Sequence, residues 1–317
     1  MDLTTIARGG VFSTADAERV GMDSNALRRL VRDGACTRLT RGWFAPLVDG
    51  PLDARRRHVL TARALGRQLG DRAAVSHHSR VIMAGLPTYA VDLTTVHLTS
   101  VLDRLRSTDD GTLVRRNVTV RRPGVVVHEP LTGLRIPTDV PAGAGRVAML
   151  PLSVALVQTG LLAGPEAFLV SADAAARAGV VSRERLAEAV GSFTGHPGVG
   201  PIRAVAGWVE TRHESPGESR TAHLLRTLGF DVEPQVELVV EGRVYRPDFR
   251  IRGTRVLVEF DGAVKYADGR RETLFEEKRR EDALRRAGWV VVRVVWEDLR
   301  RPALVMARLH AALGVAT

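Results

Sequence analysis

The run Val256-Leu257-Val258-Glu259-Phe260-Asp261 constrains this chain more than any other stretch. It reads as a strand, in which successive side chains leave opposite faces. Val256, Val258 and Phe260 point one way, and Leu257, Glu259 and Asp261 the other. Two carboxylates therefore leave one face, two residues apart. A strand-like run just before it carries Asp248, directly after Pro247. If the two strands pair, Asp248 and Glu259 converge near one end of the sheet. Clustered carboxylates are costly to desolvate unless a cation neutralises them. Mg²⁺ (or Mn²⁺) is the expected occupant, being hard, oxygen-binding and willing to keep waters. Asp248, Glu259 and Asp261 are the candidate ligands. A metal held there can activate water and stabilise charge on a scissile phosphate.

The surrounding pattern predicts helix, strand, strand, strand, helix, strand. Ser215-Pro216-Gly217-Glu218 opens the first helix and Gly229 closes it. The strands are expected over 235–240, 243–251 and 255–261, the second helix over 273–287, and a strongly apolar last strand over 289–296. Glu218 shares the helical face of Ala222 and Leu225 and so points inward. Two roles stay open for it: a member of the acidic site, or the third-position acid of a capping box begun by Ser215.

The basic residues sharpen this picture. Of 46 Lys plus Arg, only Lys265 and Lys278 are lysines, and both follow Asp261 within twenty residues. Arginine cannot give up its proton and fills more space than an ammonium, so a lysine here marks a place where arginine does not serve. Lys278 lies on the stripe of Leu274, Glu281 and Leu284, expected to be the buried side of the second helix, while Lys265 follows the Asp261-Gly262 turn. Either is a candidate catalytic cation.

Arg246-Pro247-Asp248, then Val258-Glu259-Phe260-Asp261-Gly262-Ala263-Val264-Lys265-Tyr266, then the run from Glu277 to Trp289, resemble the very-short-patch-repair-like endonuclease domains of the PD-(D/E)xK superfamily. The resemblance implies that Asp248 and Glu259 are metal ligands and that Glu218 is the first-helix acid. The chain departs from the pattern at one place. Asp261 stands where the usual lysine would follow the second acid, and Lys265 and Tyr266 stand where relatives of the mismatch-repair type carry His.

The first fifty residues carry a different signal. Ser13 to Glu18 reads as a short helix ended at Val20-Gly21, and Asp23 or Ser24 caps a second helix that ends at Gly34. Two short strands follow around Arg41-Gly42. A helix-turn-helix with a wing has this order. Arg28, Arg29 and Arg32 lie opposite Leu27, Leu30 and Val31, and Arg38 and Arg41 fall on the wing; Asp33 is the one acid between Arg28 and Arg41. Such residues contact phosphates and base edges. The runs Ser24 to Gly34 and Leu39 to Phe44 resemble the winged-helix domain of AbiEi-type antitoxins, which are partners of nucleotidyltransferase-like toxins and also repressors. Ala74 to Pro87 is similar to the same family. The adjacent His77 and His78 point in different directions from a helix and read as packing at a helix start.

The net charge of +10 and a pI near 10.9 favour a polyanionic partner. The single cysteine, Cys36, excludes an internal disulfide and reads as a small buried residue. Residues 1–10 lack the layout of a signal peptide, and no apolar run is long enough to cross a bilayer, so a cytoplasmic protein without a membrane partner is expected. The expected fold is mixed α and β: an N-terminal winged helix over 1–50, an α+β middle domain over 51–200, and a C-terminal α/β restriction-endonuclease-like core over 201–317. The glycine- and proline-rich stretch Gly191–Pro201 is the expected hinge. Two functions are compatible with these features. One is a metal-dependent endonuclease or nicking enzyme directed to DNA by the winged helix. The other is a DNA-binding antitoxin or transcriptional regulator whose nuclease-like domain is inactive. A toxin protein or a second copy of the chain is the expected protein partner.

Overall fold

The computed structural model describes residues 3–48, 50–101, 105–107, 113–115, 119–131, 147–262 and 271–315, with the backbone alone over 105–107, 113–115 and 271–278. The architecture is mixed α and β, with several sheets. The chain divides into two compact units. The first holds Met1–Ala163 and Glu188–Val199, the second Gly164–Ala187 and Gly200–Thr317.

The first unit opens with β1 (Phe12–Ser13), α1 (Thr14–Glu18), α2 (Ser24–Arg32), β2 (Cys36–Thr40) and β3 (Trp43–Pro46). Ser13 caps α1 in a capping box with Asp16, and Asp23 caps α2 through a 2.7 Å bond from the Ala26 amide. Gly34 and Gly42 hold positive φ at the two turns that follow, which their lack of a Cβ permits. The strands form an antiparallel sheet in the order β1-β3-β2. Strand β1, which the sequence pattern did not suggest, joins the helices to the wing and makes the module winged-helix-like. Phe12, Ala17, Met22, Leu27 and Cys36 form its core. Burial pushes the Cys36 thiol pKa up, in keeping with a packing role.

Next come α3 (Ala54–Leu69), β4 (Ala73–Val75), α4 (His77–Met83), β5 (Val96–Ser100), β6 (Leu105–Ser107), β7 (Leu113–Arg115), β8 (Val120–Arg122), β9 (Val125–His128) and α5 (Leu152–Ala163). Helix α3 works on two sides. Leu60 and Ala64 pack on Val11, Trp43 and Ala45 of the winged-helix-like region, while Ala62 and Leu65 pack on β4 and β5. A mixed sheet runs β4-β5-β9-β8, with β5 and β9 parallel. Strand β8 starts at Val120, and residues 116–118 lie outside the described residues.

The chain then forms α6 (Pro165–Arg177), α7 (Arg183–Ser192) and α8 (Val199–Ala206). The expected hinge is thus partly helical at both ends. The second unit continues with α9 (Pro216–Thr227), β10 (Val232–Pro234), β11 (Leu238–Val240), β12 (Arg243–Tyr245), β13 (Phe249–Ile251), β14 (Val256–Asp261), α10 (Arg271–Arg286), β15 (Val290–Val295) and α11 (Pro302–Val315). Two expected strands need correction. The sheet's first strand is β10, and the run expected over 243–251 is broken at Arg246-Pro247-Asp248. Proline cannot donate to a ladder. The chain before the break therefore forms a separate β11–β12 hairpin.

The four-stranded sheet runs β10-β13-β14-β15, antiparallel except for the parallel β14–β15 pair. Val256 and Val258, with Phe249, Val292 and Val294, face α9 and α11. Leu257 faces Ala283 and Leu284 of α10 and the β11–β12 hairpin. Both faces of β14 are covered, which explains its nearly continuous apolar run. Gly217 lets α9 approach closely: a Cβ there would stand 1.9 Å from the Phe260 ring. Among the described residues, no helix is long and apolar enough to cross a membrane.

Candidate nucleic-acid interface, acidic sheet and histidine cluster

On α2, Leu27 is buried and Leu30 and Val31 are half-buried, so the opposite side of the helix faces solvent. Arg28, Arg29 and Arg32 are exposed on it, and Arg38 and Arg41 are exposed on the wing. Arg32 meets Asp33 at 3.3 Å, an exposed pair of small energetic weight. Arg38 donates to the Thr40 carbonyl at 3.3 Å. Among the described residues, Arg28, Arg29 and Arg41 have no acidic partner. Five cations thus stand on one small module.

Asp16 holds this module together. It is buried, and its carboxylate accepts from the Ser13 amide and hydroxyl, each at 2.8 Å. It also accepts from Arg19 at 2.9 Å and from Arg67 of α3 at 3.3 Å. Arg67 in turn stacks over Trp43 and donates to the carbonyls of Val11 and Arg8. Burial alone would raise the Asp16 pKa, but the Ser13 bonds and the two guanidinium charges outweigh it and hold it below the usual carboxylate value.

In the second unit, Asp248 sits half-buried just before β13, one position beyond the Phe249–Val258 pair and therefore beside Glu259. The expected convergence of the two strands occurs. The chain itself supplies partners for both acids. Glu259 forms a 2.6 Å ion pair with Arg280 of α10, and Asp248 accepts the Phe260 amide at 2.7 Å. Asp261 ends β14, half-buried. Glu218 is buried in a different network: it accepts from the Glu214 amide, the Ser215 hydroxyl and the Gln235 side-chain amide at 2.9–3.0 Å. Capping and a tie to Gln235 thus account for its oxygens.

Lys265 lies outside the described residues, and of Lys278 the structure gives only its place on α10. The stripe expected to carry Lys278 inward is only partly buried. Leu284 is buried, but Glu281 is exposed and pairs with Arg293 at 3.1 Å. The residue one turn before Leu284 is Arg280, and that is the side chain that reaches Glu259.

The middle region holds a group that sequence reasoning missed. His77 opens α4, His97 lies on β5 and His128 ends β9. One nitrogen of each ring lies within 4.8 Å of the others, and no other such His, Cys, Asp or Glu group of three occurs among the described residues. Such a cluster is capable in principle of holding a metal. His97 Nδ1 and His128 Nε2 are 2.8 Å apart, and the His77 ring stacks on His128 with centroids 3.9 Å apart. Burial, then the neighbouring imidazoles, lowers the His77 pKa well below its ordinary value and that of His97 to about 3. Burial, then Arg121, takes His128 to about 4. His78 diverges from His77, as expected of adjacent helical residues, and bonds the Asp92 carbonyl at 3.0 Å. A faint signal was present: His97 sits between Val96 and Leu98, and His128 follows three valines.

Residues 1–46 match the family model described as transcriptional regulator, AbiEi antitoxin. The N-terminal module is therefore an AbiEi-like winged helix, a DNA-binding type. The chain is 28% identical over 212 residues to the uncharacterized proteins MT2308 and Rv2248 from two strains of Mycobacterium tuberculosis, covering 66% of this chain and 73% of theirs. It is also similar to the crystal structure of the RV2827C protein from Mycobacterium tuberculosis, with 19% identity, a TM-score of 0.36 and coverage of 69% of this chain and 78% of that one.

Proposed function

We propose that this chain is a DNA-binding transcriptional regulator of the antitoxin type, gripping duplex DNA through α2 and the β2–β3 wing. The exposed arginine face on an AbiEi-like winged helix carries the reading. Arg28, Arg29 and Arg32 reach phosphates and base edges in the major groove, and Arg38 and Arg41 hold the neighbouring backbone. A toxin protein or a second copy of the chain is the protein partner that goes with this role, and residues 1–50, 51–200 and 201–317 are its working divisions. The test is a gel shift with duplex DNA across a salt series. Each lost phosphate contact flattens the log–log salt slope by about 0.9, so replacing Arg28, Arg29 and Arg32 with Ala weakens binding and flattens the slope by up to about 2.7. An unchanged slope and affinity would make the cluster a solvated face.

The placement of Asp248 beside Glu259 favours a second reading. In it, residues 201–317 form a PD-(D/E)xK nuclease with an Mg²⁺- or Mn²⁺-dependent deoxyribonuclease activity. Asp248, Glu259 and Asp261 hold the metal, and Glu218 with Lys278 or Lys265 completes the site. It stands second because Arg280 already neutralises Glu259 and Asp261 occupies the usual lysine position. Supercoiled plasmid incubated with and without Mg²⁺ or Mn²⁺ separates the two. Nicking abolished by Glu259→Ala promotes the nuclease, and an intact plasmid leaves the regulator.

A further inference from the structure

We infer that His77, His97 and His128 form a binding site for a borderline first-row divalent cation of the Zn²⁺ type. The site lies away from the arginine face and does not rest on the DNA-binding reading.

The donor set selects the class of ion. Imidazole suits Zn²⁺, Cu²⁺ and Ni²⁺, whereas Mg²⁺ and Ca²⁺ take oxygen ligands. No carboxylate belongs to the group of three. Three histidines with one further open position are a recurrent zinc arrangement. Metal ligation needs the neutral ring, the form these largely buried imidazoles take, two of them bonded to each other.

The spacing needs modest adjustment. With Zn–N bonds of about 2.0–2.1 Å, tetrahedral ligation sets donor nitrogens roughly 3.3 Å apart. His97 Nδ1 and His128 Nε2 must open slightly from 2.8 Å, and the His77 nitrogen must close from within 4.8 Å. Without metal, one of the first two rings donates its N–H to the other. A cation takes the place of that shared proton, which shifts to the other nitrogen of the ring that carries it, so that both ligands stay neutral.

The surroundings hold the rings as outer partners of a metal site do. The Ser76 hydroxyl lies 2.9 Å from His77 Nδ1, which leaves Nε2 for the metal. His77 adopts a positive φ of 49°, and its amide donates to Gln158 Oε1 at 3.3 Å; the Gln158 amide bonds Thr99 on β5. The His97 amide donates to the Ser79 hydroxyl, which also meets His58. The His77 ring is thus held by its neighbour, and the backbones of His77 and His97 are tied to α5 and α4. Arg121 faces His97 and His128 and opposes a bare cation. The same charge favours hydroxide or another anion in the open fourth position.

The experiment titrates the purified full chain with Co²⁺, reads the visible absorption of the bound ion, and then displaces it with Zn²⁺. One Co²⁺ per chain is expected, released by one equivalent of Zn²⁺. His97→Gln and His128→Gln lose it, while the exposed-site control His310→Gln keeps it. Circular dichroism establishes that the variants are folded. Should either histidine variant fail to fold, Ser76→Ala decides, with Zn²⁺ affinity weakened roughly tenfold. A wild type that takes up no Co²⁺ or Zn²⁺, folded histidine variants that bind as it does, or an unaltered Ser76→Ala affinity would each overturn the site and leave three rings packed for stability.

Discussion

Asp16 is the residue whose removal should most disturb the DNA-binding module without touching its arginines. Asp16→Ala deletes two distinct contributions. The first is the returning half of the capping box, the bonds that the carboxylate accepts from the Ser13 amide and hydroxyl, whose loss costs about 1 kcal/mol while the Ser13 cap on the residue-16 amide remains. The second is the pair with Arg67, whose side chain is only 13% exposed against 8% for Asp16. Removing one member of a buried pair costs about 3–5 kcal/mol when the other is left uncompensated. Arg67 keeps the Val11 and Arg8 carbonyls and the Trp43 ring, so the loss falls below that range, at about 2 kcal/mol. The Arg19 pair adds little, because that arginine is 68% exposed. The total is about 3 kcal/mol, read from urea unfolding of the full chain followed by tryptophan emission, since Trp43 lies in the affected core. Asp16→Asn retains an acceptor and should lose less. The folded pKa of Asp16 is depressed, so its stabilisation is present above the unfolded value near 3.9 and is lost as pH falls through the folded value. The deficit of Asp16→Asn should therefore shrink below about pH 4. A loss under about 0.5 kcal/mol for Asp16→Ala, or strictly additive effects of Asp16→Asn and Arg67→Met, would refute the coupling.

Two further outcomes are expected. Gly217→Ala should destabilise the second unit by about 1–3 kcal/mol, because the new Cβ meets the Phe260 ring at 1.9 Å and either α9 or β14 must give way; thermal unfolding by circular dichroism reads the loss, and an unchanged midpoint would contradict the close approach. If wild type nicks plasmid, Lys278→Arg should reduce cleavage more than Lys265→Arg does, because a compact ammonium is replaced by a planar fork; full activity in Lys278→Arg would remove that lysine from the reaction.

What the sequence disclosed was mainly local. Asp23 before Ser24-Asn25-Ala26, arginines opposite Leu27, and Gly34 at the end are signals contained within one helix, and α2 obeys them. The alternation in Val256–Asp261 likewise belongs to a single strand and correctly separated Val258 from Glu259. Strands β1 and β10 escaped because two or three residues carry no measurable period; their pairing with β3 and β13 is a tertiary fact. The histidine cluster escaped for the same reason. Its members come from three elements, and the register of β5 against β9 brings the last two together.

In the acidic sheet the strand pattern is legible and the chemistry is not. Adjacent carboxylates need positive charge nearby, and the step from there to a metal assumes that the chain itself supplies none. This chain has 46 basic side chains, all but two of them arginine. Arginine's rigid fork is well suited to a half-buried carboxylate. Arg280 meets Glu259 at 2.6 Å from the helix that covers its face. Helical phase explains why the pattern singles out Lys278 in its place. Counting back from the buried Leu284, four residues reach Arg280 and three reach the exposed Glu281. The inward face of α10 near Glu259 thus contains a permanent cation. A metal at Asp248 and Glu259 must therefore compete with that guanidinium and share Asp248 with the Phe260 amide. The histidine cluster imposes no such displacement of a charged partner, since its rings are neutral and bond one another. Of the two candidate metal centres, the acidic one already holds a cation of the chain itself, whereas the histidine one faces the repulsion of Arg121.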